Sequence, residues 1–147
     1  MLSTLLMRQL ELELQATVQL ASLAGAAKDE SLREAYWNLA QTELSHYRSV
    51  VGISTELGLA GYTSLYQIEA ELDAMKALIL LRALEDTMTR NLEDALGELE
   101  RSDRKIPREI VDILRKNLSD EKEHARELDR LFELTKQHPE SLGEGKG

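Results

Sequence analysis

Apolar residues recur at helical spacing over four long stretches of the chain, and polar or glycine-containing breaks separate them. The first stretch runs from Leu2 to about Ala27 and ends at KDES, which supplies capping residues for a second from about Ser31 to Leu57. Gly58 and Gly61 in ELGLAGYTS stop that second helix. A third helix is predicted from about Leu72 to Leu99. The polar ERSDRKIPRE then leads, with Pro107 at a first helical position, into a fourth helix reaching Thr135. Residues 138–147 carry no apolar pattern and are expected to form a flexible C-terminal tail, leaving 1–137 as one bundle. Four helices of roughly 25 residues bury their stripes most naturally side by side, with helices 1 and 2 as one antiparallel hairpin and helices 3 and 4 as another. The predicted class is therefore all-α, an antiparallel four-helix bundle.

The stripes are interrupted by charge. On helix 2 the inward row reads Leu32, Tyr36, Leu39, Glu43, His46, Val50, Ile53, Leu57, and on helix 4 Ile110, Leu114, Asn117, Glu121, His124, Leu128, Leu131. Helix 1 gives Leu6, Leu10, Glu13, Thr17, Leu20, Ala24, so Glu13 faces in while Glu11, on a row with Thr4, Gln15 and Ser22, faces out. Helix 3 gives Ala74, Leu78, Leu81, Glu85, Met88, Leu92, Ala95, Leu99. Each helix contributes one inward glutamate, and two add a histidine three residues later, on the same face.

Four carboxylates buried together cost several kcal/mol each, on the order of the penalty for any unpaired buried charge, unless something neutralises them. Two divalent cations bring +4 against −4. Mixed carboxylate and imidazole donors suit iron or manganese better than the thiolate-rich sites of structural zinc. The candidate ligands are Glu13, Glu43, His46, Glu85, Glu121 and His124.

Composition narrows the partners. The 27 acidic and 18 basic residues give a net charge of −9, which disfavours nucleic acid and anionic membrane surfaces. There is no cysteine, hence no disulfide, no thiol nucleophile and no rubredoxin-type iron site in this chain. The opening residues become charged too early for a signal peptide, and no apolar run reaches the ~18 residues of a membrane span, so a cytoplasmic location is expected.

The motifs TELSH at 42–46 and DEKEH at 120–124, with single glutamates at 13 and 85, resemble the ferritin-like di-iron carboxylate proteins, which include bacterioferritins and rubrerythrins. The resemblance spans the whole bundle. It implies a long crossover between helices 2 and 3. A helix rising from Glu43 to Gly58 ends about 22 Å above the ligands, and a return of ~40 Å needs at least ~12 extended residues. Residues 59–72 provide that span, packed along the bundle by Leu59, Tyr62, Leu65, Tyr66 and Ile68. The resemblance also implies two iron ions, with manganese or a mixed pair as alternatives, and O2 or peroxide as substrate. Glu43 and Glu121 would bridge or swing, Glu13 and Glu85 would be terminal ligands, and His46 and His124 would each hold one ion. In similar proteins an acidic residue before Glu-x-x-His holds a ligand histidine, which places Asp120 on His46. Thr42, the neutral counterpart, offers a weaker bond to His124.

Some members of the family fit poorly. Met88 stands where rubrerythrins carry a further glutamate, and Leu44 where bacterioferritins carry a haem-ligating methionine, so no haem is expected. Three functions stay open: an iron-dependent oxidoreductase or ferroxidase, a non-catalytic metal-binding or storage protein, and a metal-free helical bundle. Tyr47 either lies near the centre or packs at a helix interface. Arg82 either pairs with a ligand carboxylate or forms an exposed salt bridge. His138 is expected to be solvated in the tail. Tyr36 and Trp37 are packing or dimer-contact residues. Leu12, Leu23, Ile79 and Leu80 suggest a second apolar face that a homodimer would cover.

Overall fold

The computed structural model describes residues 1–59 and 69–137. Among these, the regular elements are four helices: α1 (Leu2–Ala26), α2 (Glu30–Glu56), α3 (Ala74–Arg101) and α4 (Arg108–Gln137). The ends follow from local chemistry. Asp29 accepts from Leu32 N at 3.0 Å and starts α2 one residue earlier than the apolar pattern alone suggests. Asp73 accepts from Lys76 N at 3.0 Å, so α3 begins at Ala74 and Leu72, expected to open that helix, lies exposed before it. Gly58 closes α2 at φ 67°, with Leu59 N bonded to Ser54 O and Gly58 N to Thr55 O, the paired pattern that satisfies the last carbonyls of a helix. α4 starts directly after Pro107 and runs two residues past Thr135.

Pairing fixes the arrangement. α1 packs on α2, α3 on α4, α1 on α3 and α2 on α4, which is a square of four neighbours. Gln19 of α1 bonds the backbone of Glu71 just before α3, while Asn91 further along α3 bonds Leu5 O near the start of α1. These two helices are therefore antiparallel. Arg104, in the α3–α4 connection, reaches Leu57 O at the end of α2. α2 thus finishes at one end of the bundle and α3 starts at the other, as a long crossover requires. The connecting residues 60–68, including the expected packing residues Tyr62, Leu65, Tyr66 and Ile68, lie outside the described residues, as does the expected tail at 138–147 with His138.

The core comes in two parts. One cluster contains Leu20, Tyr36, Leu78, Met88, Leu128 and Leu131, and the other Leu6, Val50, Ile53, Leu92, Ile110 and Leu114. The charged layer lies between them. Leu12 and Leu23, expected on a second apolar face, belong instead to the chain's own core, because α1 is wedged between two neighbours and buries more than one stripe. Ile79 and Leu80 do face outward, at 57% and 50% exposure, and so does Trp37, whereas Tyr36 is buried. Among the described residues no helix is long and apolar enough to cross a membrane.

Candidate metal centre

Each helix delivers its ligand candidates to one level of the bundle. Glu13 comes from α1, Glu43 and His46 from α2, Glu85 from α3, and Glu121 and His124 from α4, and all six are buried. Two groups of four emerge. Glu13, Glu43, His46 and Glu121 offer donor atoms within 4.8 Å of one another, and so do Glu43, Glu85, Glu121 and His124. Glu43 and Glu121 belong to both. The set drawn from the stripes is brought together in full, and Glu11 pairs outside with Arg8.

The two imidazoles, 5.8 Å apart between centroids and inclined by 18°, turn Nδ1 toward the carboxylates. His46 Nδ1 lies 2.7 Å from Glu121 Oε1 and 3.6 Å from both Glu13 Oε1 and Glu43 Oε2. His124 Nδ1 lies 2.5 Å from Glu43 Oε1 and 3.6 Å from Glu85 Oε1. Each histidine therefore bonds the shared glutamate of the opposite helix.

One oxygen of every carboxylate is left over. Oε2 of Glu13, Glu43, Glu85 and Glu121 is buried with no hydrogen-bond partner outside the cluster. Such atoms are expensive in an apolar interior, and four on adjacent side chains form a concentrated set of hard donors. Oxygen with imidazole nitrogen is a donor set that fits iron or manganese. The residues present thus fit a pair of such ions.

Without ions the centre limits its charge by holding protons. Burial drives Glu13 well above the usual carboxylate range, helped by neighbouring Glu43. Glu85 is pushed far up as well, by burial and then by Glu121 and Glu43. Burial acts on Glu43 in the same sense, but hydrogen bonds from Glu13, His124 and His46 overrule it and hold Glu43 well below its ordinary value. Burial disfavours charged imidazole, yet Glu121, Glu13 and Glu43 raise His46 far above the normal histidine range. Glu43 and the charge of Glu121 raise His124 likewise.

The surroundings separate expectation from finding. His46 Nε2 meets Asp120 Oδ2 at 2.9 Å, the position the motif implied for Asp120, and Lys116 Nζ donates to the same oxygen at 2.8 Å. Burial pushes Asp120 up, but Lys116 and His46 together outweigh it and hold the carboxyl below its usual value. Thr42 donates to Asn38 O at 3.1 Å, one turn back, and its hydroxyl proton is spent on its own helix. Arg82 bonds Asp129 at 3.0 Å and Asp86 at 2.5 Å, so of its two expected roles the exposed salt bridge is the one observed. Tyr47 is half-buried and packs against the second apolar cluster. Asn117, on the inward row of α4, donates to Ser49 Oγ, which donates to His46 O, tying α2 to α4 beneath the histidine.

Stripe reasoning missed two buried amides. Gln9 Nε2 donates to Glu13 Oε1 at 2.8 Å, and Asn91 Nδ2 to Gln9 Oε1 at 3.0 Å. The available signal was spacing, since Gln9 lies one helical turn before Glu13 and Asn91 three residues after buried Met88. No protein-family model matches the chain and no curated protein matches it, so the chemistry of this centre is what speaks for its function.

Proposed function

We propose that the chain is a ferritin-like dinuclear iron protein, an oxidoreductase or ferroxidase that reacts with O2 or peroxide. The observation that carries this reading is the sharing of Glu43 and Glu121 between two four-residue donor groups. A mononuclear site needs no second histidine and no second unshared glutamate. A purely structural polar layer would tie its buried oxygens to the surrounding helices, and here four face only other members of the cluster.

The residues divide the work by position. Glu43 and Glu121 touch both halves and would bridge. Glu13 and Glu85 would each serve one half, and His46 and His124 would each supply one nitrogen through Nδ1. Bound there, two ferrous ions supply one electron each, enough with two protons to reduce peroxide to two waters. Asp120 fixes the ring of His46 through Nε2, which keeps Nδ1 aimed at the carboxylates. The apolar clusters above and below keep bulk water from the buried carboxylates.

Metal analysis of protein purified from iron-supplemented cells, followed by stopped-flow spectra of the ferrous form mixed with O2 or peroxide, tests the proposal. It calls for two ions per chain and oxidation faster than that of free ferrous iron. Fewer than one ion per chain, with melting unchanged in Glu43→Ala, would rule the centre out. Full loading without accelerated oxidation would leave a storage or binding protein.

A further inference from the structure

A line of buried amides runs from α3 through α1 to one glutamate of the centre and ends there. Asn91 Nδ2 donates to Leu5 O at 2.8 Å and to Gln9 Oε1 at 3.0 Å, and Gln9 Nε2 donates to Glu13 Oε1 at 2.8 Å. Its direction is fixed by chemistry. A backbone carbonyl can only accept, so Leu5 O selects the nitrogen side of the Asn91 amide. With both hydrogens of that nitrogen engaged, Gln9 must turn its oxygen to Asn91 and its N–H to Glu13. Glu13 Oε1 is thereby held as an acceptor, and the buried Oε2 is the atom left for the interior of the cluster.

The other half of the centre has no counterpart among the described residues. Among the described residues, no side chain from outside the six donates to Glu85, and none bonds His124 Nε2, whereas His46 Nε2 meets Asp120. His124 is also the more exposed histidine, at 7% against 2%. Among the described residues, one half is held from behind on both its unshared ligands, and the other on neither.

We infer that Asn91 and Gln9 are positioning residues that preset Glu13 as a one-oxygen ligand, making the Glu13–His46 half the tighter ion site and the Glu85–His124 half the exchangeable one. This rests on the two-ion reading of the cluster. A side chain already locked in its binding orientation loses less freedom when the ion arrives. Partners of this kind are typically worth about ten- to a hundredfold in metal affinity.

The test is an anaerobic titration of the metal-free full chain with Co2+, followed by calorimetry and by visible absorption, which reports the geometry around the ion. Three proteins are compared: the unaltered chain, Asn91→Asp and Gln19→Leu. Asn91→Asp keeps the side-chain shape and touches no ligand, but replaces the paired donors and so removes the direction of the line. Gln19 is a buried amide of the same kind that clamps the backbone of Glu71 and does not contact the six residues, so Gln19→Leu registers a merely structural loss. The unaltered chain should take up two Co2+ in two resolved steps. Asn91→Asp should weaken the first step about tenfold or more, alter the spectrum of the first ion and leave the second step unchanged. Gln19→Leu should lower the melting temperature and leave both steps in place. If Asn91→Asp does not fold, the double variant Gln9→Leu/Asn91→Leu, which removes donor and acceptor together, should give the same selective loss. A single unresolved step in the unaltered chain, an Asn91→Asp titration that overlays it, or equal weakening of both steps would overturn the inference. No Co2+ uptake by the unaltered chain would instead overturn the two-ion reading itself.

Discussion

Replacing Glu43 by glutamine should remove most of the stabilisation that metal confers, whereas replacing Glu13 should remove only the share of the Glu13–His46 ion and keep that of the other. The difference follows from geometry, because Glu43 belongs to both donor groups and Glu13 to one. A ligand that binds only the folded state stabilises it by about 2.7 kcal/mol when its free concentration is a hundredfold above the dissociation constant. Two occupied sites then give about 5 kcal/mol, which for a chain of this length is a Tm rise on the order of 10–20 °C. Glu13→Gln should keep roughly 5–10 °C of that rise, since one donor group stays complete. Glu43→Gln should keep little of it. The metal-free variant also loses the carboxylate that faces His124 at 2.5 Å and His46 at 3.6 Å, a cost of about 1–3 kcal/mol for the unpaired groups. Each variant must therefore be compared with its own metal-free form. The assay is calorimetric melting with and without excess Mn2+, which avoids oxidation during the scan. Equal losses of the metal-induced rise in the two variants, or a full rise in Glu43→Gln, would refute the shared-ligand reasoning.

The metal-free fold should lose stability as pH rises above about 6.5, because the raised histidines and glutamates hold protons that the unfolded chain has already released. Melts of metal-free protein from about pH 6 to 8 check this, and a stability that climbs across that window would refute it. Ions compete for the same groups, so loading at neutral pH should release about four protons per chain, one each from Glu13, Glu85, His46 and His124. Calorimetric titrations in buffers of different ionisation enthalpy count them, and near-zero release would contradict the protonated centre. Asp120→Asn should weaken metal binding by about tenfold by loosening His46. Arg82→Ala, which removes only an exposed bridge to Asp86 and Asp129, should leave binding intact and cost less than about 1 kcal/mol in a melt.

Much of the bundle was legible because its signals are redundant. A row such as Leu32, Tyr36, Leu39, Val50 and Ile53 repeats over about six turns, and Glu43 and His46 stand out against it. Glu13 was separable from Glu11 because a two-residue step on a helix rotates a side chain to another face. Helix starts were read to within two residues, and the errors trace to Asp29 and Asp73, whose capping bonds override the apolar pattern. Gln9 and Asn91 had only their spacing to mark them, which is ambiguous for a different reason. A lone amide on a stripe has the same pattern whether it faces solvent or a ligand, and only the approach of α1 to α3 gives each its partner. Leu12 and Leu23 were misassigned by the same kind of ignorance, since a single stripe does not tell how many neighbours a helix has. Arg82 illustrates the converse, a charge one turn from Glu85 that turns outward to Asp86 and Asp129.

Anomalous diffraction from a crystal of the iron-loaded protein, collected on both sides of the iron edge, tests most directly whether two ions sit between these six side chains. Two peaks are expected, one beside Glu13 and His46 and the other beside Glu85 and His124, with Glu43 and Glu121 within bonding distance of both. A single peak, or none in crystals whose solution sample contains iron, would contradict the two-ion reading.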